Sequence, residues 1–136
     1  MTLVEQLIRD EGLYLHPYTD TVGKLTIGVG RNLTDVGISR AEATTLLIGD
    51  IQNATDHLAQ YLPWTIALDE ARHAALVNMC FNMGIVGLCG FKKFLAALEA
   101  EDFAGAAKEM LDSQWANQVG ARALRLAVQI ENGTWQ

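Results

Sequence analysis

Three residues near the N-terminus could share one reaction. Glu11, Asp20 and Thr26 lie in the stretch EGLYLHPYTDTVGKLTIGVG, residues 11–30. A turn centred on Gly23 sets Asp20 directly across a hairpin from Thr26. Opposed residues in a hairpin point to one face, with Cβ atoms about 5 Å apart. A carboxylate and a hydroxyl at that spacing can hold one water: the carboxylate takes its proton and the hydroxyl fixes its direction. On its own the pair also reads as a turn aspartate and an ordinary strand threonine. Glu11 supplies a third group. On a helix over residues 2–11, Leu3, Val4, Leu7 and Ile8 form one apolar stripe. At about 100° per residue that stripe centres near the direction of Glu11, with Asp10 roughly 90° off it. Glu11 is therefore expected to face inward, at a helix end where the macrodipole disfavours negative charge. Both effects favour its protonated form, as a general acid requires. The competing reading is a frayed helix-end glutamate in solvent. An acid and a base on separate elements, with a water site beside the base, suit hydrolysis of a glycosidic bond.

The elements that must position these groups follow from the pattern. Gly12 stops the first helix. Residues 13–35 change period: Leu25, Ile27 and Val29 alternate with Thr26, Gly28 and Gly30, which predicts short strands joined by tight turns. Ser39 with Glu42 fits a capping box. The helix it opens can run to about Leu62, before Pro63, and is long enough to join two lobes. Asp69 can cap a helix from about Glu70 to Met83, apolar on nearly every side from Ala74 onward and broken by glycine after Met83. Further helices are predicted near Phe91–Ala100, Phe103–Leu111 and Val119–Glu131, the last ended by Gly133. The expected fold is α+β and mostly helical. A small lobe of about residues 12–38 holds a short antiparallel sheet, a helix of about 39–62 joins it to a helical lobe of about 63–136, and helix 2–11 packs near that larger lobe.

Composition narrows the function. The chain of 136 residues has room for one ordinary domain. A net charge of −6 and a pI of about 4.9 argue against nucleic acid and give no electrostatic pull toward anionic membranes or cell-wall polymers. The uncharged run Ala74–Phe91 raises a membrane span by length, but its asparagines and glycines favour a buried helix followed by a turn. The N-terminal residues MTLVEQLIRDEG do not form a signal peptide. His16, His57 and His73 are scattered without metal-ligand spacing. Cys80 and Cys89 read as reduced core thiols, and Cys80 on a buried helix is a poor nucleophile. No metal and no cofactor are expected.

The spacing E-x8-D-x5-T, embedded in RDEGLYLHPYTDTVGKLTIGVGRNLT, resembles the T-even phage lysozymes, glycoside hydrolase family 24. The resemblance continues in LDEARHAALVNMCFNMGIVGLCGF and in SQWANQVGARALRLAVQIENGTW, and so covers nearly the whole chain. The sequence resembles a shortened member, lacking a helix and loop between the sheet and the long helix. The resemblance implies a lysozyme-like fold with Glu11 as general acid, Asp20 as the carboxylate that activates water and Thr26 as the residue that positions it. It implies inverting cleavage of the β-1,4 bond between N-acetylmuramic acid and N-acetylglucosamine in peptidoglycan. Arg122 matches an arginine that approaches the catalytic glutamate and would lower its pKa. Phe81 and Asn82 match positions that line the substrate cleft, and Phe81 reads as well as plain core. Four positions depart from the family: Arg31 replaces a common histidine, Asn32 an apolar cleft residue, Phe94 a cleft serine and Glu109 an asparagine. Asn32 and Phe94 join Phe81 and Asn82 as expected substrate contacts.

The expected protein is thus a monomeric endolysin whose partner is the glycan strand of peptidoglycan, with no nucleic acid and no stable membrane association. Without a signal it would gather in the host cytoplasm and reach the wall through a holin-type pore. Two alternatives stand beside it. One is a lysozyme-like binding or structural module without activity. The other is a lytic transglycosylase, which needs no water-activating base and leaves anhydro-sugars.

Overall fold

Thr2 opens the first helix, α1 (Leu3–Glu11). Its hydroxyl accepts the Glu5 N–H, and the Glu5 carboxylate accepts the Thr2 N–H in return. That backbone contact holds Glu5 below the usual carboxylate range. At the other end the Gly12 N–H donates to Ile8 O at 2.8 Å, and the chain leaves the helix there. The computed structural model describes residues 1–136 and divides them into two units, Met1–Leu46 and Leu47–Gln136.

In the first unit, β1 (Tyr14–Thr19), β2 (Leu25–Gly28) and β3 (Arg31–Asn32) form an antiparallel sheet in that order. Pro17 lies where the β1–β2 ladder shifts, between the Tyr14–Gly28 and Tyr18–Thr26 pairs, which suits a residue with no N–H to donate. The register differs from the expected one. Thr26 faces Tyr18, and Thr19 faces Leu25, so Asp20 stands against Lys24 and not against Thr26. The cause is Gly23. It is not the centre of the turn but its last residue, at φ +83°. Its N–H donates to Asp20 O, and the Asp20 N–H donates to Lys24 O. This is the three-residue hairpin loop that needs a left-handed residue at its end, and it moves the turn's centre to Val22.

Arg31 fastens the sheet to the next helix. Its Nη1 donates to Glu42 Oε1 at 2.8 Å and to Gly37 O at 3.2 Å. Glu42 also accepts the Ser39 N–H, and Ser39 Oγ accepts the Glu42 N–H, so the expected capping box opens α2 (Arg40–Tyr61). The Arg31 hydrogen bond, then the Ser39 N–H, hold the Glu42 carboxyl well down, at about 2 against an ordinary 4.5. A depressed carboxylate stabilises the fold above its unfolded pKa and loses that contribution as pH falls through the folded value. Thermal melts of wild type and Glu42→Gln should therefore converge as pH drops from about 4.5 to about 2. Two curves that stay parallel across that window would remove Glu42 from the acid response.

The second unit is helical. After α2, a 3-10 turn covers Pro63–Ala67, and Asp69 caps α3 (Glu70–Cys89), its carboxylate accepting the Arg72 N–H. As the sequence predicts, α3 breaks after Met83: Gly84 takes φ +79°, ψ 164° in its middle. α4 (Lys92–Glu99), α5 (Phe103–Leu111) and α7 (Ala121–Asn132) match expected helices, while α6 (Gln114–Val119) is an addition, capped by Ser113. Leu58, Leu76, Met79, Leu98, Met110 and Ile130 are fully buried and form the centre of the core. Each such side chain contributes about 1.5–3 kcal/mol by leaving water. Arg72 joins α3 to α7. Its guanidinium lies 3.5 Å from the Phe103 ring centre and donates to the last-turn carbonyls of Ile130 and Glu131. No single helix is long and apolar enough to cross a membrane.

Candidate active site

Glu11 is the last residue of α1, and its carboxyl lies against Gly30 in the turn from β2 to β3. A Cβ at Gly30 would stand 3.1 Å from Glu11 Oε2 and 3.3 Å from Cδ, and the residue holds φ +70°. Glycine is thus required twice, for the backbone angle and for the approach of the acid. The contact brings Glu11 to the same short sheet that carries Thr26. The surroundings of Glu11 differ from expectation. No residue of α1 is buried and Glu11 is exposed, so the apolar interior expected around it is absent.

Asp20 is a turn residue whose Oδ1 accepts both the Val22 N–H, at 3.0 Å, and the Lys24 N–H, at 2.8 Å. The second oxygen, Oδ2, is left outside this turn. Thr26 sits on the central strand and is 4% exposed, the one buried residue of the sheet. Its hydroxyl donates to Lys24 O at 3.1 Å. With Asp20 opposite Lys24, Thr26 is its diagonal neighbour on the same face. Diagonal neighbours stand about 7–8 Å apart, their Cβ atoms somewhat closer, which is farther than the direct pairing predicted. Asn32 pairs with Thr26 from the other side. Its amide is engaged within its own turn: Nδ2 donates to Asp35 Oδ2 at 3.0 Å, and Oδ1 accepts the Asp35 N–H at 2.9 Å.

Four further expected site residues belong to the second unit. Phe81 is 44% exposed, so it is not plain core. It borders a groove of about 560 Å³ with Ile51, Val77, Asn78, Arg122 and Trp135. Arg122 is held in place by Asn78, whose Oδ1 accepts from Nε at 2.9 Å and Nη2 at 2.7 Å. Asn82 is exposed, and its Oδ1 accepts the Trp115 indole N–H at 2.8 Å. Phe94 requires a correction. It is 1% exposed and packs edge-on against Phe91 in the core, so it presents no surface to a saccharide. An aromatic ring in place of a serine on α4 gains more from burial than from water. No group of three or more His, Cys, Asp and Glu side chains is placed to hold a metal ion. Burial, then the neighbouring Cys89, pushes the Cys80 thiol up, away from nucleophilic use.

With this geometry in hand, comparison with known proteins is direct. The phage lysozyme family matches residues 9–128. The chain belongs to the phage lysozyme family. Glu11, Asp20, Thr26 and Arg122 all fall within the matched stretch. Among the relatives of this chain, the probable T4-type lysozyme 1 of Dictyostelium discoideum is 30% identical, over 98% of this chain and 95% of its own length. The pre-baseplate central spike protein Gp5 of Enterobacteria phage T4 is 33% identical over 98% of this chain, which spans only 28% of that longer protein. The SAR-endolysin of Escherichia phage Mu is 29% identical, over 91% of this chain and 76% of its own length. The first two alignments run over 162 and 161 positions against a chain of 136 residues, so those relatives carry residues that this chain lacks.

The sequence reading missed two contributions to the site. Gly30 as the wall behind Glu11 was legible only as one of several glycines. Lys24 and Asp35 stand eleven residues apart and carry no motif; the β2–β3 pairing brings them together, and the β1–β2 register sets Lys24 opposite Asp20.

Proposed function

We propose that this lysozyme hydrolyses the β-1,4 bond between N-acetylmuramic acid and N-acetylglucosamine in peptidoglycan, with inversion, Glu11 acting as acid and Asp20 as base. The observation that carries the reading is the state of the two groups beside the water site. Asp20 has spent Oδ1 on the turn and keeps Oδ2. Thr26 has committed its hydroxyl proton to Lys24 O and keeps its lone pairs. Both therefore accept, and a water that donates one hydrogen to each is left with its own lone pairs free to attack the anomeric carbon. Asp20 takes a proton as the bond forms. Glu11, against Gly30, gives its proton to the departing glycosidic oxygen. The reading keeps the family-implied supporting role for Arg122 and substrate contacts for Phe81, Asn82 and Asn32.

The test is product analysis on purified peptidoglycan. Mass spectrometry should find muropeptides with reducing ends, and early-time NMR should find the new anomeric centre inverted. Anhydro-sugar products would mean a transglycosylase. Binding without release of any fragment would mean a module that holds the wall without cutting it.

A further inference from the structure

We propose that Asp35 is a positioning residue that holds the Lys24 ammonium away from Asp20 and so keeps the base free for water. Lys24 stands directly across the hairpin from Asp20, so both side chains leave the same face of the sheet. Opposed Cβ atoms are about 5 Å apart, well within the reach of a lysine. An unrestrained ammonium there would pair with Asp20 Oδ2, the oxygen the turn leaves open. That contact would occupy the water's acceptor and make the carboxylate a weaker base.

The structure shows the ammonium directed elsewhere. Lys24 Nζ lies 3.1 Å from Asp35 Oδ2 and 3.3 Å from Oδ1. The Asp35 carboxylate is itself fixed, since Asn32 Nδ2 donates to its Oδ2 and the Asp35 N–H donates to Asn32 Oδ1. Asn32 thereby gains a function in orienting Asp35. The titratable groups on this face are Tyr14, Tyr18 and Asp20 from β1, Lys24 from β2 and Asp35 after β3, with the Tyr14 and Tyr18 rings 4.5 Å apart. Glu11 reaches the adjoining turn from α1, and the Arg31 cation is engaged by Glu42. Lys24 is thus the cation whose release would reach Asp20.

The inference rests on Asp20 being the base, but its test does not need activity. Asp35→Asn keeps the amide-sized side chain and removes its charge. The Asp20 carboxyl is titrated by carbon-detected NMR in wild type, Asp35→Asn, Lys24→Met and the double variant. Lys24→Met leaves in place the backbone N–H and C=O that serve Asp20 and Thr26. Asp35→Asn should move the Asp20 titration curve measurably to lower pH, because the released ammonium then pairs with it. On the Lys24→Met background the same substitution should do much less, because the cation it releases is gone. In turnover, Asp35→Asn should lower kcat about tenfold with KM little changed, move the acidic limb of the pH profile down, and lose nothing further once Lys24 is Met. An equal shift on both backgrounds would mean that Asp35 acts by its own charge or through the loop, and the proposal would fall. A wild type that cuts no peptidoglycan would defeat the functional reading, while the titration cycle would still decide the role of Asp35.

Discussion

Glu11→Gln should reduce glycan cleavage about 10²–10⁴-fold, the span typical for loss of a general acid. The amide has nearly the shape of the carboxyl but cannot supply a proton to the leaving oxygen. The geometry makes this a clean experiment. Glu11 is exposed, accepts no hydrogen bond from its own unit's side chains and touches Gly30 by packing. Glutamine fits the same space against Gly30, so the melting temperature should stay within the range of ordinary surface changes, about 0.5 kcal/mol in stability. The measurement pairs clearing of outer-membrane-permeabilised cells with a reducing-end assay on purified peptidoglycan, each beside a thermal melt. A variant that retains more than about a tenth of wild-type turnover would take Glu11 out of the acid role. A variant that loses activity together with fold would leave activity uninformative; Glu11→Asp, which keeps the acid but withdraws it from Gly30, then separates the two, because an acid role predicts partial recovery.

The parts of this protein that sequence makes legible are those fixed by local chemistry. The Ser39–Glu42 box, the break after Met83 and the Asp69 cap each depend on a residue acting on its own few neighbours, and each stands where the pattern puts it. The hairpin was legible in kind but not in register. Both candidate turns contain Gly23, and the choice rests on whether that glycine sits in the middle of the loop or at its left-handed end. A one-position shift of a turn's centre changes every cross-strand pair by two residues, which is why Asp20 meets Lys24 and reaches Thr26 only diagonally. Periodicity also favoured Glu11 over Asp10; in the structure Asp10 pairs with its neighbour Arg9 at 2.8 Å, and Glu11 packs against Gly30. Periodicity could not describe what surrounds Glu11, because burial is a property of packing and not of helical phase. Phe94 shows the same limit. A position inferred from family likeness carries the role of the usual serine, but the substituted ring is drawn into the core.

The second large effect separates hydrolysis from its enzymatic rival. Asp20→Asn should lower hydrolysis about 10²–10⁴-fold while leaving the hairpin intact. Asparagine keeps an Oδ1 that can accept the Val22 and Lys24 N–H groups, so the turn and the placement of Thr26 survive; what is lost is the basicity of the second oxygen. Asp20→Ala removes both functions. It should match the Asn variant in activity and in addition lose about 0.5–1.5 kcal/mol of stability, the net worth of ordinary hydrogen bonds partly replaced by water. The distance between the two variants in a melt, at equal activity, therefore measures Asp20 as a turn residue, and the drop they share measures it as a base. A transglycosylase would respond differently, since its second step uses the sugar's own hydroxyl and needs no activated water. There Asp20→Asn would be nearly silent, whereas Glu11→Gln would remain severe. Severe loss in both variants, with reducing ends as the wild-type product, requires a base as well as an acid, the role proposed here for Asp20, whose Oδ1 serves the turn and leaves Oδ2 for the reaction.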